Sequence, residues 1–183
     1  LSAMKCVICS SAMLPGMALN DVPSAAQAFT TTAKAAEKKC LSMSIFECAG
    51  CGTVQYIGPR VPYYKKVIRS AKFSQEMLKF RESQFRNFLR SASKSIESVF
   101  EMGAGEGEYL DIFRSLGCTT SGIEASEKLV SICQKKGHEV VSGFLGDCDS
   151  QIYFKKKKYD CAVSFNFIEH LPNPTADLMN LSN

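Results

Sequence analysis

The sequence predicts an α/β protein in two parts: a small cysteine-paired module and, after it, a domain built on a parallel sheet that is incomplete within this chain. Three observations carry that expectation. After Ser95, short apolar runs alternate with helical stretches, the signature of βαβ units. Gly103, Gly105 and Gly107 stand at alternate positions between one such run and the helix that follows. Cys6, Cys9, Cys48 and Cys51 form two Cys-x-x-Cys pairs in a front segment without a long apolar period. The expected parts are a module over residues 1–62, a connecting helical segment over 63–95, and the amino-terminal part of the α/β domain over 96–183.

The front segment reads as irregular, with Pro15, Pro23, Pro59 and Pro62 and a small-residue stretch from Ser24 to Ala36. It has too little apolar content to fold unaided. From Phe73 to Leu89, Phe73, Met77, Phe80, Phe85, Phe88 and Leu89 recur near helical spacing and predict an amphipathic connecting helix. Ser98–Met102 reads as a first strand and Tyr109–Leu116 as its following helix. Thr119–Ile123 predicts a second strand. Ser126 is placed to cap a helix through Lys136 that Gly137 ends. Glu139–Phe144 and Tyr159–Phe165 predict a third and a fourth strand, the last a nearly continuous apolar run suited to burial on both faces. Pro174 near a first turn opens another helix. Four strands leave such a sheet poorly closed, so further strands are expected beyond this chain, which on its own is expected to be inactive.

Composition excludes more than it assigns. The chain has 183 residues, 45% hydrophobic and 22% charged, which is ordinary for a globular protein. Its net charge of +4 is concentrated at Lys65, Lys66, Arg69 and the run Lys155–Lys158. No aromatic residues interleave that run, so it reads as a solvated face and nucleic acid is not the expected partner. No segment approaches the ~20 apolar residues of a membrane span, and the start lacks the charged-then-apolar order of a signal peptide, Met4 being the expected natural first residue. A cytoplasmic location is the expectation. Nine cysteines without an export signal are then reduced thiols, suited to metal binding or burial.

Each Cys-x-x-Cys can bend a short knuckle so that two thiolates face one ion, and Cys6, Cys9, Cys48 and Cys51 together supply the four sulfurs of tetrahedral zinc. Gly52 after the second pair permits the tight turn such knuckles use. Four thiolates fill the shell and leave no place for a substrate water, so this zinc would be structural.

The alternating glycines let the backbone turn sharply and approach a ligand closely. A P-loop would need Gly-Lys-Ser/Thr, which is absent. A dinucleotide fingerprint would place its last glycine at position 108, where Glu108 would repel a pyrophosphate. A ligand with a sulfonium and an amino group, such as S-adenosylmethionine, suits Glu101, Glu106 and Glu108. Glu124, at the end of the second strand, can accept both hydroxyls of an adenosine ribose, and Asp147, after the third, is positioned for the adenine amino group.

These residues resemble the class I S-adenosylmethionine-dependent methyltransferases, with their Rossmann-like domain. The first motif of that class is similar to Glu101-x-Gly103-x-Gly105-x-Gly107, and its second ends in an acidic residue like Glu124. The whole chain resembles the amino-terminal part of a family that joins a zinc-binding domain to a methyltransferase domain, as in sugar C-methyltransferases. Cys6-x-x-Cys9, Cys48-x-x-Cys51-Gly52, Val54-Gln55 and Phe167-Ile168-Glu169-His170-Leu171 carry that likeness. The resemblance implies C-methylation of a nucleotide-linked keto sugar or a similar small metabolite. It implies His170 as the base that makes an enolate, Glu169 as its neighbour in the site, and Asn166 among the cofactor-binding residues. Phe167 stands where sugar-methylating relatives tend to carry tyrosine, and the region around Ile68 and Ser70 lacks their tyrosines. Methylation of oxygen or nitrogen, a nicotinamide oxidoreductase, and a non-catalytic zinc-ribbon binding module are the competing readings.

Overall fold

The computed structural model describes residues 4–23, 32, 40–57, 74–145, 157–171 and 173–182. The chain divides into two compact units, one holding an antiparallel sheet and the other a parallel one.

The front segment, expected to be irregular, is a three-stranded antiparallel sheet in the order β1-β2-β3, with β1 at Met13–Pro23, β2 at Cys40–Cys48 and β3 at Val54–Tyr56. Its signal in the sequence is the alternation of Leu41, Met43 and Ile45 with Ser42 and Ser44, and burial follows that period of two along β2. Of the prolines that suggested irregularity, Pro15 and Pro23 sit on the edge strand, where a missing N–H is tolerated, and Pro59 and Pro62 lie outside the described residues. Pro15 lies at a register shift between β1 and β2, and a second shift falls between Leu19 and Val22, where Asp21 takes a φ of 55°. Gly16 is required at the first: a Cβ there would lie 2.8 Å from the Ile45 carbonyl oxygen. Nearly all of β1 is exposed, and among the described residues of this unit the buried hydrophobic ones are Cys6 and Cys48. Among the described residues the sheet therefore has almost no apolar core of its own, which suits a module held by something other than burial.

In the second unit, α1 (Gln75–Ser91) begins at Ser74, whose side chain accepts the Met77 N–H at 3.1 Å. The connecting helix thus starts later than the sequence reading placed it, and Phe73 lies outside the described residues. Four strands follow: β4 (Ser98–Met102), β5 (Thr119–Glu124), β6 (Glu139–Ser142) and β7 (Cys161–Ser164). They are all parallel, in the order β6-β5-β4-β7. Helix α2 (Glu108–Ser115) connects β4 to β5, and α3 (Glu127–Lys135) connects β5 to β6. A 3₁₀ turn at Ile168–His170 and α4 (Pro174–Ser182) follow β7. Ser126 precedes α3 in an extended conformation but makes no side-chain cap; its N–H instead donates to Glu124.

The core lies on both faces of β4. Val99 packs with Phe85 of α1 and with Tyr109, Ile112 and Phe113 of α2, where the Phe85 and Phe113 rings stack at 4.4 Å. Phe100 and Met102 face the other way, toward Ile123 and Leu145. Both α2 and α3 end in a glycine in the left-handed region, Gly117 at φ 98° and Gly137 at φ 86°. In each, the glycine N–H and the next N–H reach back to free carbonyls of the last turn, which fixes where the following strand starts.

Candidate functional site

The chain runs β4, β5, β6 outward in one direction and then returns to place β7 on the other side of β4. The strand order therefore reverses between β4 and β7, and in open α/β sheets ligands bind beyond the carboxyl ends of the strands at that point. The loops leaving β4 and β7 meet there. Ser164 pairs with Met102 in register, and the Phe167 ring stands 2.6 Å from where a Gly103 Cβ would be.

The three alternate glycines are all left-handed, with φ of 79° at Gly103, 56° at Gly105 and 79° at Gly107. This explains the spacing: a side chain at any of them would be strained, and at Gly103 and Gly107 it would also meet packed neighbours. The Gly103 and Ala104 N–H groups both donate to the Ile123 carbonyl, at 2.9 and 3.1 Å, anchoring the loop to the end of β5.

Glu124 closes β5 and bridges two loops. One carboxylate oxygen accepts the Gly105 N–H at 3.0 Å and the other accepts the Ser126 N–H at 2.9 Å. Each oxygen keeps a lone pair for a ligand hydroxyl. Glu101, at the end of β4, is 1% exposed, and its Oε2 has no partner. Burial holds its carboxyl well above the usual carboxylate range, and the nearby Glu108 and Glu124 charges push it further. An orphaned acid thus stands near two other carboxylates at this end of the sheet. Glu106 lies in the loop, where its carbonyl accepts the Lys136 ammonium. Asp147 lies outside the described residues.

Beyond β7, Asn166 adopts a φ of 51°, a left-handed position that asparagine tolerates. Glu169 and His170 share the 3₁₀ turn, where no residue is buried, with His170 Nε2 3.9 Å from Glu169 Oε1. That separation exceeds a hydrogen bond. The structure thus brings Glu101, Gly103, Gly105, Gly107 and Glu124 together and puts Phe167, the residue after Asn166, against them.

In the front unit, the Sγ atoms of Cys6, Cys9, Cys48 and Cys51 all lie within 4.8 Å of one another. Cys6 and Cys51 approach to 3.7 Å and Cys9 and Cys48 to 3.4 Å, far outside a disulfide bond. A tetrahedron with Zn–S bonds of ~2.3 Å has sulfurs about 3.8 Å apart, so the cluster fits such an ion. Desolvation opposes ionisation of Cys6, but the Cys9 and Ile8 N–H groups and the Gln55 amide outweigh it and bring the thiol down to about 6. The Cys51 N–H favours ionisation of Cys48, yet desolvation and the neighbouring sulfurs push that thiol up to about 11. Four thiols in one site cannot all ionise until a cation joins them. Gln55 does more than sequence reasoning assigned it: its Nε2 donates to Cys6 Sγ at 2.9 Å while its Oε1 accepts the Val7 N–H at 3.2 Å.

Sequence reasoning also missed His138, which is buried at the start of β6 against Thr120 and Asp111. A lone histidine after a helix-ending glycine carries no pattern that could have marked it.

A family model described as a methyltransferase domain matches residues 74–183. No curated protein matches the chain in sequence. Similar solved structures include a SAM-dependent methyltransferase from Archaeoglobus fulgidus, 23% identical, with a TM-score of 0.44 over 59% of this chain and 45% of that one. Another is the SAM-bound amino pentose methyltransferase CalS10 from Micromonospora echinaspora, 14% identical, with a TM-score of 0.47 over 63% of this chain and 53% of that one. Streptomyces venezuelae DesVI is 20% identical, with a TM-score of 0.43 over 55% of this chain and 44% of that one. The chain therefore spans about half the length of these proteins.

Proposed function

We infer that this chain, which belongs to the methyltransferase-domain family, binds S-adenosylmethionine at the carboxyl end of β4 and serves methyl transfer to a small-molecule acceptor. The observation that carries the reading is Glu124, held by two backbone N–H groups with a free lone pair on each oxygen, next to the orphaned Glu101 carboxyl. A ribose diol and an ammonium group satisfy those two features. Gly103, Gly105 and Gly107 leave room for the ligand's approach, and Asn166 and Asp147 complete the proposed binding set. When bound, the cofactor supplies an electrophilic methyl group on a sulfonium.

For the acceptor we propose a nucleotide-linked keto sugar or a similar small metabolite with an acidic C–H beside a carbonyl. His170 would take that proton on a ring nitrogen, becoming imidazolium and leaving an enolate carbon as the nucleophile. Glu169 would hold the imidazolium. Cys6, Cys9, Cys48 and Cys51 would hold a structural zinc, since four thiolates fill its shell. Reduced thiols of this kind suit a cytoplasmic protein, and no helix among the described residues is long and apolar enough to cross a membrane.

Two measurements test this. Because this chain on its own is expected to be inactive, the full-length protein is incubated with methyl-labelled S-adenosylmethionine and a panel of nucleotide-linked keto sugars, and label is sought on carbon, oxygen and nitrogen. Separately, solvent deuterium entering the carbon beside the ketone is followed without cofactor. Label on carbon, with deuterium exchange lost in His170→Gln, is the expected result. Label on oxygen or nitrogen alone would remove the enolate chemistry, and exchange unchanged in His170→Gln would remove His170 as the base.

A further inference from the structure

The cofactor reading leaves one buried polar cluster without a task. His138 is 3% exposed and is delivered by the turn that ends α3, where its N–H donates to the Cys133 carbonyl at 3.0 Å and the Gly137 N–H to the Gln134 carbonyl at 2.9 Å. Its Nδ1 lies 2.7 Å from Thr120 Oγ1 and its Nε2 2.8 Å from Asp111 Oδ1. An ionised Asp111 only accepts, so Nε2 carries the proton and Nδ1 accepts the Thr120 hydroxyl. Both ring nitrogens of a neutral imidazole are then satisfied.

The same cluster grips the glycine loop. The Lys136 ammonium joins Asp111 Oδ2 at 2.8 Å to the Glu106 carbonyl at 2.7 Å. Arg114 holds Asp111 Oδ1 at 3.0 Å, and the Asp111 N–H donates to the Gly107 carbonyl at 2.8 Å. Cys133 Sγ donates to the Gly105 carbonyl at 3.3 Å, so the residue whose N–H meets Glu124 is held at its carbonyl as well. The imidazole itself abuts the loop: its Cδ2 would stand 3.2 Å from a Cβ at Gly107. Three left-handed glycines in five residues would otherwise sample many backbone states, and a ligand would have to order them on binding.

We propose that His138, acting through Asp111 and Lys136, is a positioning residue that latches the glycine loop in its cofactor-receiving form. The inference rests on the cofactor reading above for what the loop receives, but the latch itself has a readout that needs no ligand.

The test follows amide hydrogen exchange of peptides covering 103–110, together with calorimetric titration of S-adenosylhomocysteine. It uses the unmodified protein, His138→Leu, His138→Gln and, at the half-exposed end of the cluster, Lys136→Met. His138→Leu is expected to speed exchange in 103–110 while β4 and β5 keep their protection, and to weaken binding about tenfold, the worth of one hydrogen bond to a charged group. His138→Gln, whose amide can still donate to Asp111, is expected to recover most of both effects. Lys136→Met frees the Glu106 carbonyl with little loss of packing and should speed loop exchange even if the leucine variant does not fold. Loop exchange unchanged in both His138→Leu and Lys136→Met would overturn the latch, and so would faster exchange spread evenly over the sheet in every variant. If loop exchange responds as expected while S-adenosylhomocysteine binds none of the proteins, the cofactor reading fails and the latch stands.

Discussion

Glu124→Ala is the perturbation whose size the structure fixes best. The carboxylate accepts the Gly105 and Ser126 N–H groups at 3.0 and 2.9 Å, and each oxygen has one lone pair left for a ribose hydroxyl. A hydrogen bond to a charged acceptor contributes ~1.5–3 kcal/mol, and the low end applies because Glu124 is only half-buried. Two ribose hydrogen bonds at that end give about 3 kcal/mol, close to a 100-fold loss of affinity for S-adenosylhomocysteine. Loosening the Gly105 N–H adds to this by freeing the loop. Calorimetric titration measures the affinity, and thermal unfolding shows that the variant remains folded. Glu124→Gln sharpens the result: one oxygen survives as an acceptor, but the new amide N–H₂ faces a backbone donor, so an intermediate loss is expected. A folded Glu124→Ala protein that binds within threefold of the unmodified one would refute the assignment of the ribose to this residue.

Glu101 predicts a proton linkage. Burial, and secondarily Glu108 and Glu124, raise its folded-state value above the ordinary 4.5, so the unliganded protein should lose stability as pH rises above that value toward the folded one. Glu101→Gln should flatten that slope, and a cationic ligand should expel the proton, seen as a binding enthalpy that changes with the ionisation enthalpy of the buffer; equal enthalpies in all buffers would refute the linkage. Gly103→Ala combines a left-handed φ of 79° with a Cβ 2.6 Å from the Phe167 ring, so the melting temperature should fall by about 5 °C or more. An unchanged melting temperature would mean the loop relaxes freely. For the cysteine cluster, atomic absorption should find one zinc per chain, lost in Cys9→Ser, and Gln55→Leu should lower zinc affinity by roughly 10–100-fold in competition with a chelator. A protein purified without zinc that also fails to take it up would remove the metal.

The parallel sheet was legible because its strands are short and both β4 and β5 lead into a helix with its own punctuation. Gly117 and Gly137 stop α2 and α3 where the sequence places them, and β4 has the bounds its apolar run predicts. The antiparallel sheet was not legible in the same way. Its prolines are tolerated because β1 is an edge, and an edge is a property of the sheet that no local window contains. Ser126 does stand at the N-cap of α3, but its hydroxyl caps no first-turn N–H, and its own N–H goes to Glu124 two residues earlier. The glycine spacing told that the loop turns, but not that the Phe167 ring closes on Gly103 or that His138 closes on Gly107. Those contacts join residues tens of positions apart, and only the crossover of β7 to the far side of β4 brings the first about.

The choice of ligand follows from charge rather than from backbone. A glycine loop leading into a helix N-terminus is by itself an anion site, since free N–H groups and the helix dipole favour negative charge. Here the Gly105 N–H is already taken by a carboxylate, and Glu108 occupies the first turn of α2. Glu101 adds a third acidic group, whose carboxyl burial holds well above the usual carboxylate range. A pyrophosphate entering this crevice would meet two carboxylates and displace a bonded one. A ligand bearing a cationic centre and a diol would instead lower the free energy of all three. On the proposed reading, the turn that serves nucleotide phosphates elsewhere would be converted, by its glutamates, into a site for a cationic nucleoside.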